Sequence, residues 1–358
     1  MAQNHNEKLL LSEYNGLHGP RNVAMIANCT KEDSDILCRI DDLGGPISSL
    51  MFFAGGRRIA TFRKGDHKLR VWSVENDQLQ KETDSSPIEH DPRATINAIA
   101  SSKDGRYIIS GDDHGNVMIW NTATHPSQKV GELVAAEGKI TALDVSPDSL
   151  RFVSGSEDGE VVVWSIEKGE RLVGPLKHQG LPVSSVKFSP TGGRIASAYD
   201  VVDRDNCSVR IWHSCTGAQL ESVPIAEPTC SLAWSTDGQR LFVGGSRGSV
   251  QCFDIANRYL LPECRARSRD LMTSLCLTRN GQLLVSVSSG RASVIDIWDT
   301  CNIRPSEPLR SCSEVYIASI SPDDTRLASV ATENDITIRS LSTVIDTTYL
   351  FYVSMHDL

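Results

Sequence analysis

The sequence has little positive charge, no long apolar run and no sustained helical periodicity. Its 358 residues include 36 Lys and Arg against 45 Asp and Glu, which gives a formal net charge of −9. This balance argues against a general nucleic-acid binder, which needs a basic surface to displace counterions from phosphates. The apolar runs, such as residues 349–353, are far shorter than the roughly 18 residues of a membrane span. We therefore expect neither direct nucleic-acid binding nor membrane insertion.

Paired metal-binding cysteines are also lacking. The ten cysteines are scattered without a C-x-x-C pair, so neither a zinc site nor a redox dithiol is predicted. Near the N-terminus only Leu9 to Leu11 form an apolar stretch, which is too short for the core of a signal peptide. We therefore expect reduced thiols in a cytoplasmic or nuclear protein, with no metal and no cofactor.

The sequence does contain an internal repeat. Five of its six tryptophans end a run of alternating, β-rich residues, and two weaker copies end at Phe253 and Arg339. The tryptophans that end these runs are Trp72, Trp120, Trp164, Trp212 and Trp298. From Trp72 onward the seven copies are spaced by 48, 44, 48, 41, 45 and 41 residues. A unit that recurs seven times at this period indicates a repeat architecture.

Turn-forming residues recur between these aromatic residues, for example at residues 103–105, 190–192 and 236–238. Pro presets the backbone for a turn, and Gly or Asn tolerates a positive φ, so each site favours chain reversal between two strands. One unit is then a strand, a tight turn, a second strand, another turn and a third strand that ends in Trp. The predicted fold class is all-β.

These residues resemble the WD-repeat family of β-propellers over about residue 36 to the C-terminus. The name-giving dipeptide is intact only at Trp298-Asp299. The resemblance implies a seven-bladed propeller of four-stranded antiparallel blades, formed by residues 35–358 after a loosely ordered N-terminal extension at 1–34. We expect an N-terminal strand at 36–40 to close the ring, and the C-terminal run 347–352 is the rival for that position.

The family ties each blade with a hydrogen-bonded set of Trp, Ser or Thr, Asp and His. The resemblance implies that three members are present in the first and third blades, whereas the His is missing or displaced. The residues implied for this structural set are Trp72, Thr61, Asp66, Trp164, Ser154 and Asp158, together with Trp120, Trp212 and Trp298. Ala136 occupies the expected His position before the third blade, and His90 and His178 are out of register. Blades five to seven have Arg247, Ala292 and Glu333 at the Asp position, so these blades are expected to be the least tied.

Two motifs that could indicate catalysis are better explained by the repeat. The segment 244–248 matches G-x-S-x-G, but a strand follows it, whereas the nucleophile elbow requires a helix. Three aspartates between residues 200 and 205 lack the Gly and the terminal Glu of a calcium loop. We therefore expect no enzyme activity. A propeller enzyme of the hydrolase or quinone-dependent dehydrogenase type remains the alternative of another class.

One charge pattern points to a partner. The turns before each third strand and the starts of the innermost strands share one rim of a propeller, and in blades two to four this rim is acidic. The candidate partner-binding residues are Asp113, Glu157, Asp158, Asp205, Arg247, Arg291, Asn97, Lys139 and Tyr316. An acidic arc steers and orients a basic peptide. The predicted function is a non-catalytic scaffold for proteins or peptides, including Lys/Arg-rich segments. A recognition subunit of a chromatin or ubiquitin-ligase complex is the alternative.

Overall fold

The computed structural model describes residues 36–41, 46–75, 78–81, 88–124, 127–177, 180–199, 208–225, 227–261, 264–265, 271–289, 295–301, 304–305, 315–331 and 335–342. Its elements are strands, with one short 3₁₀ turn at Ala54–Gly56. The strands form seven antiparallel sheets, which are the seven blades of a β-propeller. The fold class predicted from the repeat is confirmed.

Blades one to four follow one another along the chain. Blade one contains β2 (Ile47–Phe53), β3 (Arg58–Arg63), β4 (Lys68–Glu75), β5 (Gln78–Lys81) and β6 (Ile88–Glu89). Blade two contains β7 (Ile96–Ser101), β8 (Tyr107–Asp112), β9 (Asn116–Asn121) and β10 (Gln128–Val134). Blade three contains β11 (Ile140–Val145), β12 (Arg151–Ser156), β13 (Glu160–Ser165) and β14 (Arg171–Lys177). Blade four contains β15 (Val183–Phe188), β16 (Arg194–Tyr199), β17 (Ser208–His213) and β18 (Gln219–Pro224).

The last three blades complete the ring. Blade five contains β19 (Thr229–Trp234), β20 (Arg240–Gly245), β21 (Ser249–Asp254), β22 (Tyr259–Leu260) and β23 (Cys264–Arg265). Blade six contains β24 (Leu271–Leu277), β25 (Leu283–Ser289), β26 (Ile295–Asp299) and β27 (Arg304–Pro305). Blade seven contains β28 (Val315–Ile320), β29 (Arg326–Ala331) and β30 (Asp335–Ser340), together with β1 (Ile36–Asp41). In blades one and five, two short strands share the outermost position.

The N-terminal strand closes the ring, as predicted. Strand β1 pairs antiparallel with β30, with Cys38 opposite Ile338 and Ile40 opposite Ile336. This pairing covers the edge of β30, which would otherwise present unpaired backbone groups. The rival run 347–352 and the proposed extension at 1–34 lie outside the described residues.

The core lies between blades rather than within them. Each of seven clusters of buried side chains combines residues of two neighbouring blades, including one between blades seven and one. Trp120 packs against blade one, and Trp164 packs against blade two. A fully buried aliphatic or aromatic side chain contributes about 1.5–3 kcal/mol. A single blade has no core of its own, so the ring folds as one unit.

We name the strands of a blade a to d from the channel outward, and the two ends of the propeller by their turns. The upper face carries the b–c turns and the starts of the a strands. The lower face carries the a–b and c–d turns.

Candidate protein-interaction surface

The tryptophans that end the c strands are each tied to the b strand of their own blade. Each indole Nε1 donates a hydrogen bond to a hydroxyl oxygen on the neighbouring strand. The pairs are Trp72 with Thr61 (3.0 Å), Trp120 with Ser110 (3.2 Å), Trp164 with Ser154 (2.9 Å), Trp212 with Ser197 (2.8 Å) and Trp298 with Ser286 (2.8 Å). The bulky rings are thereby held in one orientation, because a buried indole N–H needs an acceptor.

Blade two extends this tie into a buried network. Ser110 Oγ lies 2.7 Å from Nε2 of His90, and His90 Nδ1 lies 3.0 Å from Asp112 Oδ2. Neither side chain of this His–Asp pair has any exposed surface. Asp112 also accepts the backbone N–H groups of His114 (3.0 Å) and Asn116 (2.8 Å), so it closes the b–c turn. The network links the c strand, the b strand, the d–a loop and the turn.

This network corrects the sequence interpretation at two residues. His90 was expected to be out of register, and Asp112 was not among the expected members of the hydrogen-bonded set. By register His114 occupies the position that Asp158 occupies in blade three, but Asp112, two residues earlier, is the carboxylate that closes the turn. Burial alone would raise the pKa of Asp112, but hydrogen bonds from His90 and Asn116 outweigh it, and the pKa lies below its usual value. Asp112 is therefore structural.

The two Asp residues that were expected in the structural set bind other partners than a histidine. Asp66 accepts hydrogen bonds from Lys68 N (3.1 Å) and from the guanidinium of Arg70 (2.9 Å). Asp158 accepts the Ser156 hydroxyl and, at 3.3 Å, the N–H of Gly138 in the d–a loop. Both carboxylates therefore close their own b–c turn, as Asp112 does.

Blade five supplies a buried carboxylate by a different route. Gly245 occupies the register position that Asp112 occupies in blade two, opposite the first residue of the a strand. Glu227 reaches into this space from the d–a loop and accepts the backbone N–H (3.3 Å) and hydroxyl of Ser249. A Cβ on Gly245 would lie 2.1 Å from Glu227 Oε1. Sequence reasoning missed Glu227 because the carboxylate and its turn are far apart along the chain.

The upper face has a regular inner border. In every blade the a–b register shifts near the start of the a strand, so one residue there is left out of the pairing. All of these residues are exposed or half-buried: Ser48, Asn97, Thr141, Ser184, Cys230, Thr273 and Tyr316. Candidates Asn97 and Tyr316 belong to this border, and burial raises the pKa of Tyr316. Lys139, half-buried, lies beside it, just before β11.

The acidic candidates lie just outside this border in blades two and three. Asp113 is exposed, and its Oδ1 accepts the N–H of Thr95 at 2.7 Å. Glu157 is exposed, and its backbone N–H binds Lys139 O at 2.8 Å. Within the described chain neither carboxylate has an ion pair. The described upper-face loops 91–95, 112–115, 135–139 and 156–159 contain five carboxylates besides buried Asp112, against only Arg93 and Lys139.

The remaining candidates lie either in another blade or outside the described residues. Arg247 is exposed on the b–c turn of blade five. Asp205 and Arg291 lie outside the described residues, so they remain predictions.

Comparisons with known proteins agree with this architecture. Residues 78–234 match the family model described as Nucleolar protein 10-like, N-terminal domain, a β-propeller domain. The pre-mRNA-splicing factor cwf17 of Schizosaccharomyces pombe is 22% identical over 170 residues, which are 48% of this chain and 48% of that protein. WD repeat-containing protein 90 of Mus musculus is 30% identical over 151 residues, which are 32% of this chain and 8% of that protein. The chain is a WD-repeat β-propeller.

A solved structure shows the same fold. A chain in the crystal structure of the mitotic checkpoint complex superimposes with a TM-score of 0.73 at 16% identity, covering 90% of this WD-repeat propeller and 99% of that chain. At this identity the likeness is one of fold alone. This WD-repeat propeller spans about half the length of the first curated relative and less than a tenth of the second. Among the described residues, no helix is long and apolar enough to cross a bilayer.

The lower face of this WD-repeat propeller uses its carboxylates in turns. In four a–b turns, an Asp accepts the hydroxyl of the Ser two residues before it and the backbone N–H two residues after it. These aspartates are Asp104, Asp148, Asp237 and Asp323. Their pKa values all lie below the usual value. Burial is the largest influence on Asp104, Asp148 and Asp323 and would raise the pKa, but the turn hydrogen bonds together outweigh it. The hydroxyl of Ser235 is the main cause for Asp237.

The channel wall contains one ion pair between neighbouring blades. Lys187 Nζ lies 3.1 Å from Asp144 Oδ1, and Asp144 Oδ2 accepts the N–H of Phe188 at 2.8 Å. The carboxylate of Asp144 raises the pKa of Lys187. Trp234, the tryptophan outside the repeat pattern, donates to Lys187 O at 3.2 Å. These contacts join blades three, four and five near the channel.

Proposed function

We propose that this WD-repeat propeller is a protein-interaction scaffold whose upper face, at blades two to four, receives a Lys/Arg-rich segment of a partner protein. The observation that carries the proposal is the pair Asp113 and Glu157, exposed and without a cationic partner in the described part of the chain. A basic segment supplies the missing counter-charges.

The rigidity of the surface supports this function. The backbone of Asp113 is anchored to Thr95 O at 3.0 Å, and that of Glu157 to Lys139 O at 2.8 Å. A preformed surface loses little conformational entropy when it binds, so more of the interaction energy appears as affinity. Exposed charge pairs contribute only about 0.2–1 kcal/mol each, so several must act together. Such a surface chiefly raises the association rate and the selectivity for basic partners.

The experiment is affinity purification with quantitative mass spectrometry from nuclear and cytoplasmic extracts. The test bait carries Asp113→Lys and Glu157→Lys. The matched control carries Glu167→Lys and Glu170→Lys, which change the same charge at exposed residues of the c–d turn on the lower face of blade three. Partners with Lys/Arg-rich segments are expected to fall about tenfold with the test bait alone, which corresponds to about 1.4 kcal/mol. Equal recovery with both baits contradicts the proposal.

We also propose that the protein acts in the nucleus, within a multiprotein assembly. Support comes from the printed names of a pre-mRNA-splicing factor among the relatives and of a nucleolar protein for the matching family model. Fractionation of cells that express the tagged full chain is expected to recover it mainly with nuclear complexes. Recovery only in the cytoplasm contradicts this location.

A further inference from the structure

The lower face carries a repeated arginine whose role changes from blade to blade. The b strands of blades one, three, four, five and seven each begin with Arg, namely Arg58, Arg151, Arg194, Arg240 and Arg326. Blade two has Arg106 one residue before its b strand. An arginine at this position lies beside the next blade in the ring.

Three of these arginines bind the next blade. Arg58 donates to Thr122 O at 3.1 Å, Arg151 to Ser214 Oγ at 3.3 Å and Arg240 to Thr300 O at 3.0 Å. The receiving residue is in each case two positions after the Trp of the next blade. Its hydroxyl binds a carbonyl of its own a–b turn, at 2.9 Å for Thr122, 2.6 Å for Ser214 and 2.7 Å for Thr300. These arginines are structural because each binds its side chain to the neighbouring blade.

The arginine of blade four differs. The next blade has Ile255 at the corresponding position, which offers no hydroxyl to arrange the turn. In blade two, which also faces an isoleucine, Arg106 instead forms an ion pair with Asp104 at 2.7 Å. Over the described residues, the guanidinium of Arg194 has neither a hydrogen bond nor an ion pair. Its cationic group is therefore available to a ligand.

Arg194 lines a groove between blades four and five. The cavity has a volume of about 460 Å³, and its wall includes His213, Leu220, Thr191 and Asp237. Leu220 is 41% exposed, so the groove offers an apolar contact beside the cation.

The histidine in this wall presents a second donor. His213 lies directly opposite Arg194 in the b–c ladder. Its Nδ1 accepts the N–H groups of Cys215 (3.3 Å) and Thr216 (3.2 Å), which fixes the neutral ring with its proton on Nε2. Nε2–H is then the remaining polar group of the ring.

The only carboxylate among the groove-lining residues uses one of its oxygens to close the a–b turn. Asp237 Oδ1 accepts the Ser235 hydroxyl at 2.5 Å and Gln239 N at 3.0 Å. The groove therefore combines an unpaired guanidinium, an imidazole N–H and an exposed leucine. Arg binds a carboxylate through two parallel hydrogen bonds, and this geometry selects planar anions.

We propose that the groove between blades four and five binds an acidic peptide segment, with an Asp or Glu carboxylate on Arg194 and His213 and a neighbouring aliphatic side chain on Leu220. This site is on the face opposite the acidic upper face and takes a ligand of opposite charge. It does not depend on the function proposed above. A propeller with both sites would join a basic segment of one partner to an acidic segment of another.

The test is a selection of random twelve-residue peptides displayed on phage against the full-length protein. Bound phage are counted for the wild type, Arg194→Gln and Leu220→Ser. Matched controls are Arg171→Gln, an exposed arginine of β14, and Leu172→Ser, which occupies in blade three the position of Leu220 and is 49% exposed. Because the Arg194 guanidinium has no bond in the described chain, its loss leaves the thermal midpoint unchanged.

The expected result is enrichment of peptides that contain Asp or Glu beside Leu, Ile or Val. Synthetic copies should bind Arg194→Gln and Leu220→Ser at least tenfold more weakly than the wild type, and the two controls within twofold of it. The Asp113→Lys, Glu157→Lys protein should retain this binding, which separates the two proposals. The inference is overturned if the enriched peptides are not acidic or if they bind Arg194→Gln as tightly as the wild type. It is also overturned if the wild type enriches no peptides over Arg194→Gln.

Discussion

The two faces of the propeller use carboxylates differently. On the lower face, Asp104, Asp148 and Asp237 each close an a–b turn, with hydrogen bonds that lower their pKa values. On the upper face, Asp113 and Glu157 stay exposed, and neither has an ion pair in the described residues. A carboxylate that closes a turn stabilises the fold. An exposed carboxylate without an ion pair is available to a partner.

Adjacent residues on the upper face show the same contrast. Asp112 is fully buried and accepts four hydrogen bonds, from His90 Nδ1, His114 N, Asn116 N and Asn116 Nδ2. Asp113, the next residue, is exposed. The rim therefore contains structural carboxylates such as Asp112 and exposed carboxylates such as Asp113. Substitutions should affect stability at the first kind and partner binding at the second.

The largest effect is expected for Asp112→Ala. The substitution leaves the buried His90 ring and two turn N–H groups without their acceptor, so the free energy of unfolding should fall by about 3 kcal/mol. Asp113→Ala is the matched control and should cost less than about 1 kcal/mol, because Asp113 is exposed. Urea unfolding at pH 7 measures both. Equal losses would mean that the network does not stabilise blade two.

Gly245→Ala should have the next largest effect. The added Cβ would meet Glu227 Oε1 at 2.1 Å and displace the carboxylate from Ser249, at a cost of about 2 kcal/mol. Gly131→Ala is the control, since its Cβ would meet Ile119 at an ordinary 3.6 Å. In a double-mutant cycle, Glu227→Ala should remove most of the penalty for Gly245→Ala. An additive result contradicts the interpretation that Glu227 fills the missing Asp position.

Acid should weaken the lower face. The pKa values of Asp148 and Asp237 are lower in the folded protein, so their stabilising contribution is complete above the unfolded value of about 3.9 and is lost as the pH falls through the folded values. Blade six already has an amide at this turn position, where Asn280 Oδ1 accepts Thr278 Oγ1 at 2.7 Å. The Asp148→Asn, Asp237→Asn protein keeps these acceptors but lacks their charge, so it should fold and be less stable than the wild type at pH 7.

As the pH falls below about 4, this double variant should lose less stability than the wild type, because it has two fewer groups to protonate. Urea midpoints at half-unit pH steps measure the slope. An unchanged slope would show that these two carboxylates do not contribute to acid unfolding.

The smallest effect on stability is expected for Asp113→Asn with Glu157→Gln. Both groups are exposed, and an amide oxygen at residue 113 can still accept the Thr95 N–H. The free energy of unfolding should change by less than about 0.5 kcal/mol. A loss above 1 kcal/mol would place these carboxylates in the structural group and weaken the case for a binding role.

The sequence predicted the fold because the fold depends on local, periodic signals. Turn residues and alternating strands recur in every copy, and the run 36–40 that was expected to close the ring forms β1, which pairs with β30. The period could be counted even where the Trp is replaced by Phe253 or Arg339. Such features require only that each segment follow its own intrinsic preference.

The buried networks could not be predicted in the same way. His90 and Asp112 are 22 residues apart, and Glu227 and Ser249 are also 22 apart, so each contact depends on how the d–a loop folds back over its turn. In blade two the carboxylate that closes the b–c turn is Asp112, two residues before the position that a sequence motif would search. The turn can accommodate this shift, but a motif cannot detect it. The freedom of Arg194 likewise depends on Ile255 in the next blade, which no local pattern relates to it.

The central claim is that the upper face at blades two to four receives a basic segment, and site-specific photo-crosslinking tests it most directly. A photo-reactive phenylalanine replaces Asn97 on the upper face or, as the control, Glu167 on the lower face of the full-length protein in cells. The account predicts that peptides crosslinked at residue 97 are rich in Lys and Arg, and that Asp113→Lys with Glu157→Lys abolishes them. Neutral or acidic peptides at residue 97, or the same peptides at both positions, would contradict it.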